Sequence, residues 1–379
     1  MDSYELGANG PVVSRVGLGC MGMSDFYGPA DEAESIATIH AAMDAGVTLL
    51  DTGDFYGMGH NELLLGRALR DRQRDNVFVQ VKFGAQRGPQ GAFIGHDASP
   101  AAVKTFLAYT LTRLGTDFVD LYQPARLDPD VPIEETVGAI SELVREGYVR
   151  HIGLSEMGAD TIRRAHRVHP ITAIQMEYSL MSRTIEAEVL PTVRELGIGV
   201  TAYGVLSRGL LGSKGARPPG PGDGRARFPR FQKENLSRNR ELVRALGAIA
   251  EEKGATTAQL AIAWVLSRGG DVIPLIGARS RQRLQEALSA LDLALTEEDL
   301  ARIERAVPAE EVAGARYAEA QRSALDSERG SERYSLGRVG NRRRVRHPGD
   351  GEEAGEGPQP QSVRSVLEPE RRADGSDEG

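Results

Sequence analysis

The stretch Asp51-Thr52-Gly53-Asp54-Phe55-Tyr56-Gly57-Met58-Gly59-His60-Asn61-Glu62 decides how this chain is read. The run Val47-Thr48-Leu49-Leu50 precedes it, so Asp51 falls where a strand ends. Tyr56 follows in a glycine-rich loop, and Asn61 and Glu62 open a helical run, Leu63 to Arg70. A second run, Val77-Phe78-Val79-Gln80-Val81-Lys82, places Lys82 at its own C-terminal end. A carboxylate, a phenol and an ammonium thus project from two adjacent strand ends. An unperturbed Tyr titrates near ~10 and is a poor acid at neutral pH. A Lys cation beside it is expected to stabilise the phenolate and lower that pKa. A carboxylate paired with the Lys would hold the ammonium in place. Such a set makes a proton donor for a carbonyl oxygen. Singly, the Asp reads as a cap, the Tyr as packing and the Lys as solvated; together, in this order, they read as chemistry.

Working outward, strand-like and helical runs alternate. Tyr4-Glu5-Leu6 and Val12-Val13, joined by Gly7-Ala8-Asn9-Gly10, read as a hairpin. Val16 to Cys20 reads as the first strand and Asp31 to Ala45 as the first helix, with His40 as a packed histidine. Further helices are expected over Pro100–Leu114, capped by Ser99, and over Ile133–Arg145, Ala159–Val168 and Glu186–Leu196. The intervening strands are Phe118–Tyr122, Val149–Gly153, Ala173–Gln175 and Ile198–Ala202. Gly212 to Arg230 is rich in Gly, Pro and Arg and reads as a mobile loop. Helices over Ser237–Lys253 and Thr256–Ser267 follow, the second with Trp264 on its core face. A last strand, Val272–Ile276, a helix over Ser280–Ser289 and a capped helix from Thr296 complete the pattern. Eight such units with short loops specify an α/β fold, a closed (β/α)8 TIM barrel. Residues 1–330 are read as that barrel and residues 331–379, poor in apolar residues, as a disordered tail. The run Arg342-Arg343-Arg344-Val345-Arg346 is read as part of a solvated tail.

The segment DTGDFYGMGHNELLLGRAL, followed by VQVKFG, resembles the aldo-keto reductases. The resemblance runs from about Tyr4 to about Gly330, and GLSEMG with a C-terminal ARY…LDSE is most similar to pyridoxal reductases and auxin-induced-type reductases. It implies hydride transfer between a nicotinamide and a carbonyl or alcohol, with Asp51, Tyr56 and Lys82 catalytic and the N-terminal hairpin plugging the barrel floor. It also implies a cofactor site. Ser155 and Gln175 match positions that bind the carboxamide, and Tyr203 matches the aromatic that stacks on the ring. Gly204-Val205-Leu206 match the pyrophosphate loop, with Cys20 and Met21 after the first strand, and Gly277, Arg279, Arg283 and Glu286 match the adenosine end. Arg279 and Arg283 are expected to share a helix face and to pair with a 2′-phosphate, which favours NADP(H). The first strand is followed by no GxGxxG fingerprint, which argues against a Rossmann domain.

One departure stands out. Where most of that family carry a histidine that orients the carbonyl, this chain has Ala125, within Gln123-Pro124-Ala125-Arg126. The set is thus a triad, and His60 and His96 are read as exposed rather than as substitutes. Generic aldehyde reduction should be weaker and the pocket wider. The alternative is a cofactor-sensing binding barrel similar to potassium-channel β subunits.

Composition bounds the rest. The chain has 379 residues, 40% of them hydrophobic and 26% charged, with a net charge of −8, which argues against a nucleic-acid or acidic-membrane surface. A single cysteine, Cys20, suits a reducing cytoplasm. Met1-Asp2-Ser3-Tyr4-Glu5 lacks signal-peptide character, and no run reaches a membrane-span length. The expected partner is a small carbonyl or alcohol substrate, bound by a monomer or homo-oligomer.

Overall fold

The computed structural model describes residues 1–70, 72–212, 218–220, 222–322 and 324–328. It begins with an antiparallel hairpin of β1 (Ser3–Glu5) and β2 (Val12–Ser14), Tyr4 lying opposite Val13. The turn uses left-handed backbone at Gly7 (φ +83°) and Asn9 (φ +62°). A Cβ on Gly7 would stand 2.7 Å from the Thr172 carbonyl oxygen, so only glycine fits there.

The barrel strands are β3 (Gly17–Gly19), β4 (Leu49–Gly53) and β5 (Phe78–Phe83), then, after a separate hairpin of β6 (Ala85–Arg87) and β7 (Phe93–His96), β8 (Val119–Pro124), β9 (Val149–Ser155), β10 (Ala173–Glu177), β11 (Gly199–Tyr203) and β12 (Val272–Gly277). The eight run parallel in the order β3-β4-β5-β8-β9-β10-β11-β12 and close on β3. The expected (β/α)8 barrel is therefore the fold. Helices α1 (Glu32–Asp44), α2 (His60–Leu69), α3 (Pro100–Leu114), α4 (Ile133–Arg145), α5 (Ala159–Val168), α6 (Val189–Glu195), α7 (Lys233–Glu252), α8 (Thr257–Leu266), α9 (Arg281–Leu288) and α10 (Glu297–Ala306) follow in chain order, with a short turn, α11 (Glu319–Arg322), near the end. Caps set their starts: the side chains of Asp31, Ser99, Thr256, Ser280 and Thr296 each accept a hydrogen bond from a first-turn N–H. Trp264 is fully buried, and its Nε1–H donates to Glu304.

Two apolar cores result. The larger lies between strands and helices. The smaller fills one end of the barrel, where Leu49, Phe78, Leu121, Ala173, Ile273 and Leu275 meet Leu6 and Val13, so the hairpin does plug that end. Because side chains alternate along a strand, every second residue above this layer points inward. That places Asp51, Gln80, Gln175 and Thr201 in the next layer, with Lys82, Gln123, Ser155, Glu177 and Tyr203 at the strands' C-terminal ends, where barrel chemistry sits.

Within the loop read as mobile, residues 213–217 and 221 lie outside the described residues; of the rest, Phe228 and Arg230 are buried, and the next helix starts at Lys233, ahead of the expected Ser237. The β6–β7 hairpin had no counterpart in the sequence reading. Residues 329–379, and so the expected tail, lie outside the described residues. Among the described residues no helix is long and apolar enough to cross a membrane, and no group of three or more His, Cys, Asp or Glu side chains is placed to hold a metal.

Candidate active site at the barrel mouth

β4 and β5 are hydrogen-bonded neighbours, with Gly53 opposite Lys82. That register brings Lys82 Nζ to 2.5 Å from Asp51 Oδ1, both nearly buried. The same oxygen accepts from Gln175 Nε2 at 2.7 Å and Gln80 Nε2 at 3.1 Å. A buried carboxylate is thus held by one cation and two amides, which satisfies it as burial requires. Tyr56 lies beside the ammonium, with Lys82 Nζ 5.2 Å from its ring centroid. Its loop turns sharply through left-handed Gly57 and Met58, and Phe55 packs edge-on to the phenol ring at 4.8 Å.

The electrostatics differ from the expectation. Burial, then the Asp51 charge, holds the Tyr56 phenol well above its ordinary range, and Arg126 opposes this. The Lys82 ammonium is bonded to Asp51, and burial together with the Asp51 charge outweighs the cations near the phenol. Burial also pushes the Lys82 ammonium down, against Asp51. Tyr56 therefore stands as a neutral phenol, the form that can give a proton away.

Ala125 continues β8: its N–H donates to the Phe83 carbonyl at 2.9 Å. By alternation it shares a face with Gln123, which is paired in register with Lys82. The missing histidine would thus have faced the same chamber, and Ala125 is 2% exposed there. Gln123 is fully buried, and its amide has no hydrogen-bond partner among the described residues. His60 is turned away, Nδ1 lying 2.9 Å from Ser24 Oγ. His96, half-buried rather than exposed, is pushed down to about 4 by burial and then by Arg126, so it is neutral at physiological pH.

The residues expected to hold a cofactor divide into three groups. Ser155 Oγ, at the end of β9, is buried with no hydrogen-bond partner among the described residues. Tyr203 Oη donates to Glu156 Oε1 and lies 2.9 Å from Tyr317 Oη. Gly204, Val205 and Leu206 begin a tight turn in which Ser207 N donates to Gly204 O at 2.6 Å. Cys20 is buried with its N–H on the Asp51 carbonyl, and burial pushes its thiol up to about 12; Met21 opens a short turn after it. The adenosine-end expectation needs correction. Arg279 precedes the N-cap Ser280 of α9, so it shares no helix face with Arg283. Its guanidinium instead donates to the carbonyls of Tyr27, Gly28 and Pro29, with Nε buried and unpartnered, while Arg283 pairs with Glu286 at 2.5 Å. Gly277, at the end of β12, is exposed.

A second polar cluster was missed in the sequence. Glu156 and Glu177, both buried at the ends of β9 and β10, are met by Arg316, Arg208 and Arg230. Burial pushes the Glu156 carboxyl up, but Arg316 beside it outweighs this and holds the group at about 2. Ser327 and Glu328 bind the same arginine, and Gly158 N–H donates to Asp326. The C-terminal strap is thereby fastened over the mouth. The sequence marker ARY…LDSE contains most of these residues, and its charge-rich makeup was the available signal. A cavity of about 1220 Å³ opens beside this cluster, lined by Ser182, Arg230, Arg316 and Glu328 among others; Asp51, Tyr56 and Lys82 do not line it.

The closed parallel barrel thus carries a buried Lys82–Asp51 pair and a buried Tyr56 at its mouth. Residues 15–308 match the Aldo/keto reductase family. The chain is 45% identical over 316 residues to "Probable aldo-keto reductase 1" from Glycine max, covering 83% of this chain and 91% of that one. A glycerol dehydrogenase from Gluconobacter oxydans superimposes with a TM-score of 0.73 at 30% identity, over 80% of this chain and 94% of that one. An aldo-keto reductase from Bacillus halodurans does so with a TM-score of 0.68 at 30% identity, over 82% and 97%. This chain belongs to the aldo-keto reductase family, and its class is that of an oxidoreductase.

Proposed function

We propose that this chain is an NADP(H)-dependent carbonyl reductase or alcohol dehydrogenase in which Tyr56 is the proton donor. The observation that carries the reading is the buried Lys82–Asp51 pair set against Tyr56. The residues present fit a nicotinamide cofactor: the orphaned Ser155 hydroxyl suits a carboxamide, and Gly204 lies where a Cβ would stand 3.1 Å from Glu177. When bound, NADP(H) supplies the hydride to the carbonyl carbon. Tyr56 gives its proton to the carbonyl oxygen, and Lys82 steadies the phenolate left behind. Asp51 fixes the ammonium, and Gln80 and Gln175 fix Asp51. In the oxidative direction the Tyr56 oxygen takes the hydroxyl proton instead. A cytoplasmic location accords with the free thiol of Cys20.

Ala125 favours a second reading, a barrel that senses cofactor with little turnover. NADPH oxidation across an aldehyde, ketone and pyridoxal panel, with the reverse reaction on alcohols, decides between them. Tyr56→Phe is expected to abolish reduction while NADPH still binds, as titrated by fluorescence. Phe-variant turnover at the parent rate would remove Tyr56 from its role; NADPH binding without turnover of any substrate by the parent would favour the sensor.

A further inference from the structure

Arg126 follows Ala125 at the end of β8, and its guanidinium is turned toward the mouth. Nη2 lies 3.2 Å from Tyr317 Oη, which in turn lies 2.9 Å from Tyr203 Oη on β11, so the side chain belongs to a bridge across the opening. Its charge reaches Tyr56, Lys82 and His96. The other arginines of this region have carboxylates: Arg316 has Glu156 and Glu328, Arg208 has Glu177 at 3.1 Å, and Arg230 has Glu177 at 3.7 Å. Among the described residues Arg126 has no carboxylate within 4.0 Å; its acceptors there are the Ala125 carbonyl at 2.5 Å and the Tyr317 hydroxyl. Lys82 is committed to Asp51, and His96 is neutral at physiological pH. Glu156, the carboxylate whose charge reaches Arg126, is already held by two hydrogen bonds from Arg316, so Arg126 is a cation beside Tyr56 without a carboxylate of its own, in a site partly withdrawn from water.

A guanidinium offers a planar fork of donors that fits a carboxylate or phosphate through two parallel bonds. Away from bulk water such charge-assisted bonds strengthen, and an unpaired charge is costly. Ala125, its neighbour in the chain, carries only a methyl group. We propose that Arg126 receives an oxyanion of the substrate, so that the substrates are carbonyl compounds carrying a carboxylate or phosphate: oxo acids or phosphorylated aldehydes. The inference rests on the carbonyl-reductase reading and names the substrate class for that site.

The test uses matched pairs on the full chain: 4-carboxybenzaldehyde against methyl 4-formylbenzoate, and glyceraldehyde 3-phosphate against glyceraldehyde. Parent, Arg126→Gln and Arg126→Lys are compared. The parent is expected to prefer the charged member of at least one pair by about 10- to 100-fold in kcat/KM, mainly through KM, as charge-assisted bonds warrant. Which pair shows it tells carboxylate from phosphate. Arg126→Gln should erase the ratio and Arg126→Lys should restore part of it. The ratio is the readout, so a general loss of rate does not imitate it. Calorimetric titration with 4-(hydroxymethyl)benzoate and with inorganic phosphate reads binding without turnover. Equal use of charged and neutral members, with the ratio unmoved in Arg126→Gln, overturns the oxyanion receptor and leaves the reductase reading intact. Arg126-dependent binding with no aldehyde turned over keeps the receptor and refutes the reductase reading. A melting temperature many degrees lower in Arg126→Gln would make the residue a strut for Tyr317 and also overturn the proposal.

Discussion

Replacing Lys82 with Met keeps most of the stem and removes the ammonium. Asp51 Oδ1 then retains the amides of Gln175 and Gln80 but loses a cation 2.5 Å away, in a place where the carboxylate is 4% exposed. At that separation and an effective dielectric near ~20 the Coulomb attraction is roughly 6 kcal/mol. Desolvating each ion costs several kcal/mol, so the pair as a whole contributes little net stability. Removing one partner is different, because the other stays buried: the loss is about 3–5 kcal/mol. For a chain of this size that is a fall of roughly 6–10 °C in melting temperature. The neutral double variant, Lys82→Met with Asp51→Asn, should recover most of the fall, within about 2 kcal/mol of the parent, since no charge is stranded. Neither variant should reduce an aldehyde at more than a small fraction of the parent rate. Calorimetric melting of parent, both single variants and the double, with NADPH-linked turnover on each, completes the cycle. A Lys82→Met protein that melts with the parent would refute the buried pair. A double variant no more stable than the single one would refute the stranded-charge argument.

Three further outcomes follow from the geometry. Ala125→His puts a hydrogen-bond donor on the face shared by Gln123 and Lys82, and kcat/KM on 4-nitrobenzaldehyde should rise by ~10²-fold; an unchanged rate in folded protein would mean position 125 does not reach the reacting oxygen. Glu156, held at about 2 by Arg316 against an ordinary value of 4.5, stabilises the strap above about pH 4.5 and loses that contribution as pH falls toward 2. Proteolysis near Arg316 should therefore be flat from pH 8 to 5 and rise below that, and Glu156→Gln should be susceptible throughout; a parent that loosens already at pH 6 would contradict the assignment. Asp54 is pushed up to about 8 by burial and then by Glu62, so its contribution is full below its ordinary 3.8 and is lost as pH rises toward 8. Asp54→Asn should accordingly raise the melting temperature more at pH 8 than at pH 5, by a few degrees; equal effects at both would refute a titrating Asp54.

The sequence was most readable where local chemistry decides structure. Helices α3, α4 and α5 run over the expected residues, since Ser99, Pro100 and left-handed Gly115 mark the ends of α3 without help from elsewhere. Strands β8, β9 and β10 were read too short at their C-terminal ends, because Gln123, Ser155 and Glu177 are polar yet buried, and a pattern of apolar residues passes over them. The β6–β7 hairpin escaped for a related reason: its short strands carry little apolar alternation. Asp51, Tyr56 and Lys82 were legible because β4 and β5 are consecutive in the barrel, so spacing translates directly into proximity. The Glu156–Arg316 contact joins residues far apart in the chain, and its burial depends on charge pairing that no periodicity reveals. The same holds for Tyr317 over Tyr203, and for Arg279, whose partners sit in the loop after β3.

The hairpin of β1 and β2 has a consequence for traffic. With Leu6 and Val13 set among Leu49, Phe78, Leu121 and Ile273, one end of the barrel is corked by hydrocarbon. Lys82 and Tyr56 are then reached from the opposite end; on the reading proposed above, whatever enters last would leave first, and each proton given by Tyr56 would be replenished past the residues of the strap.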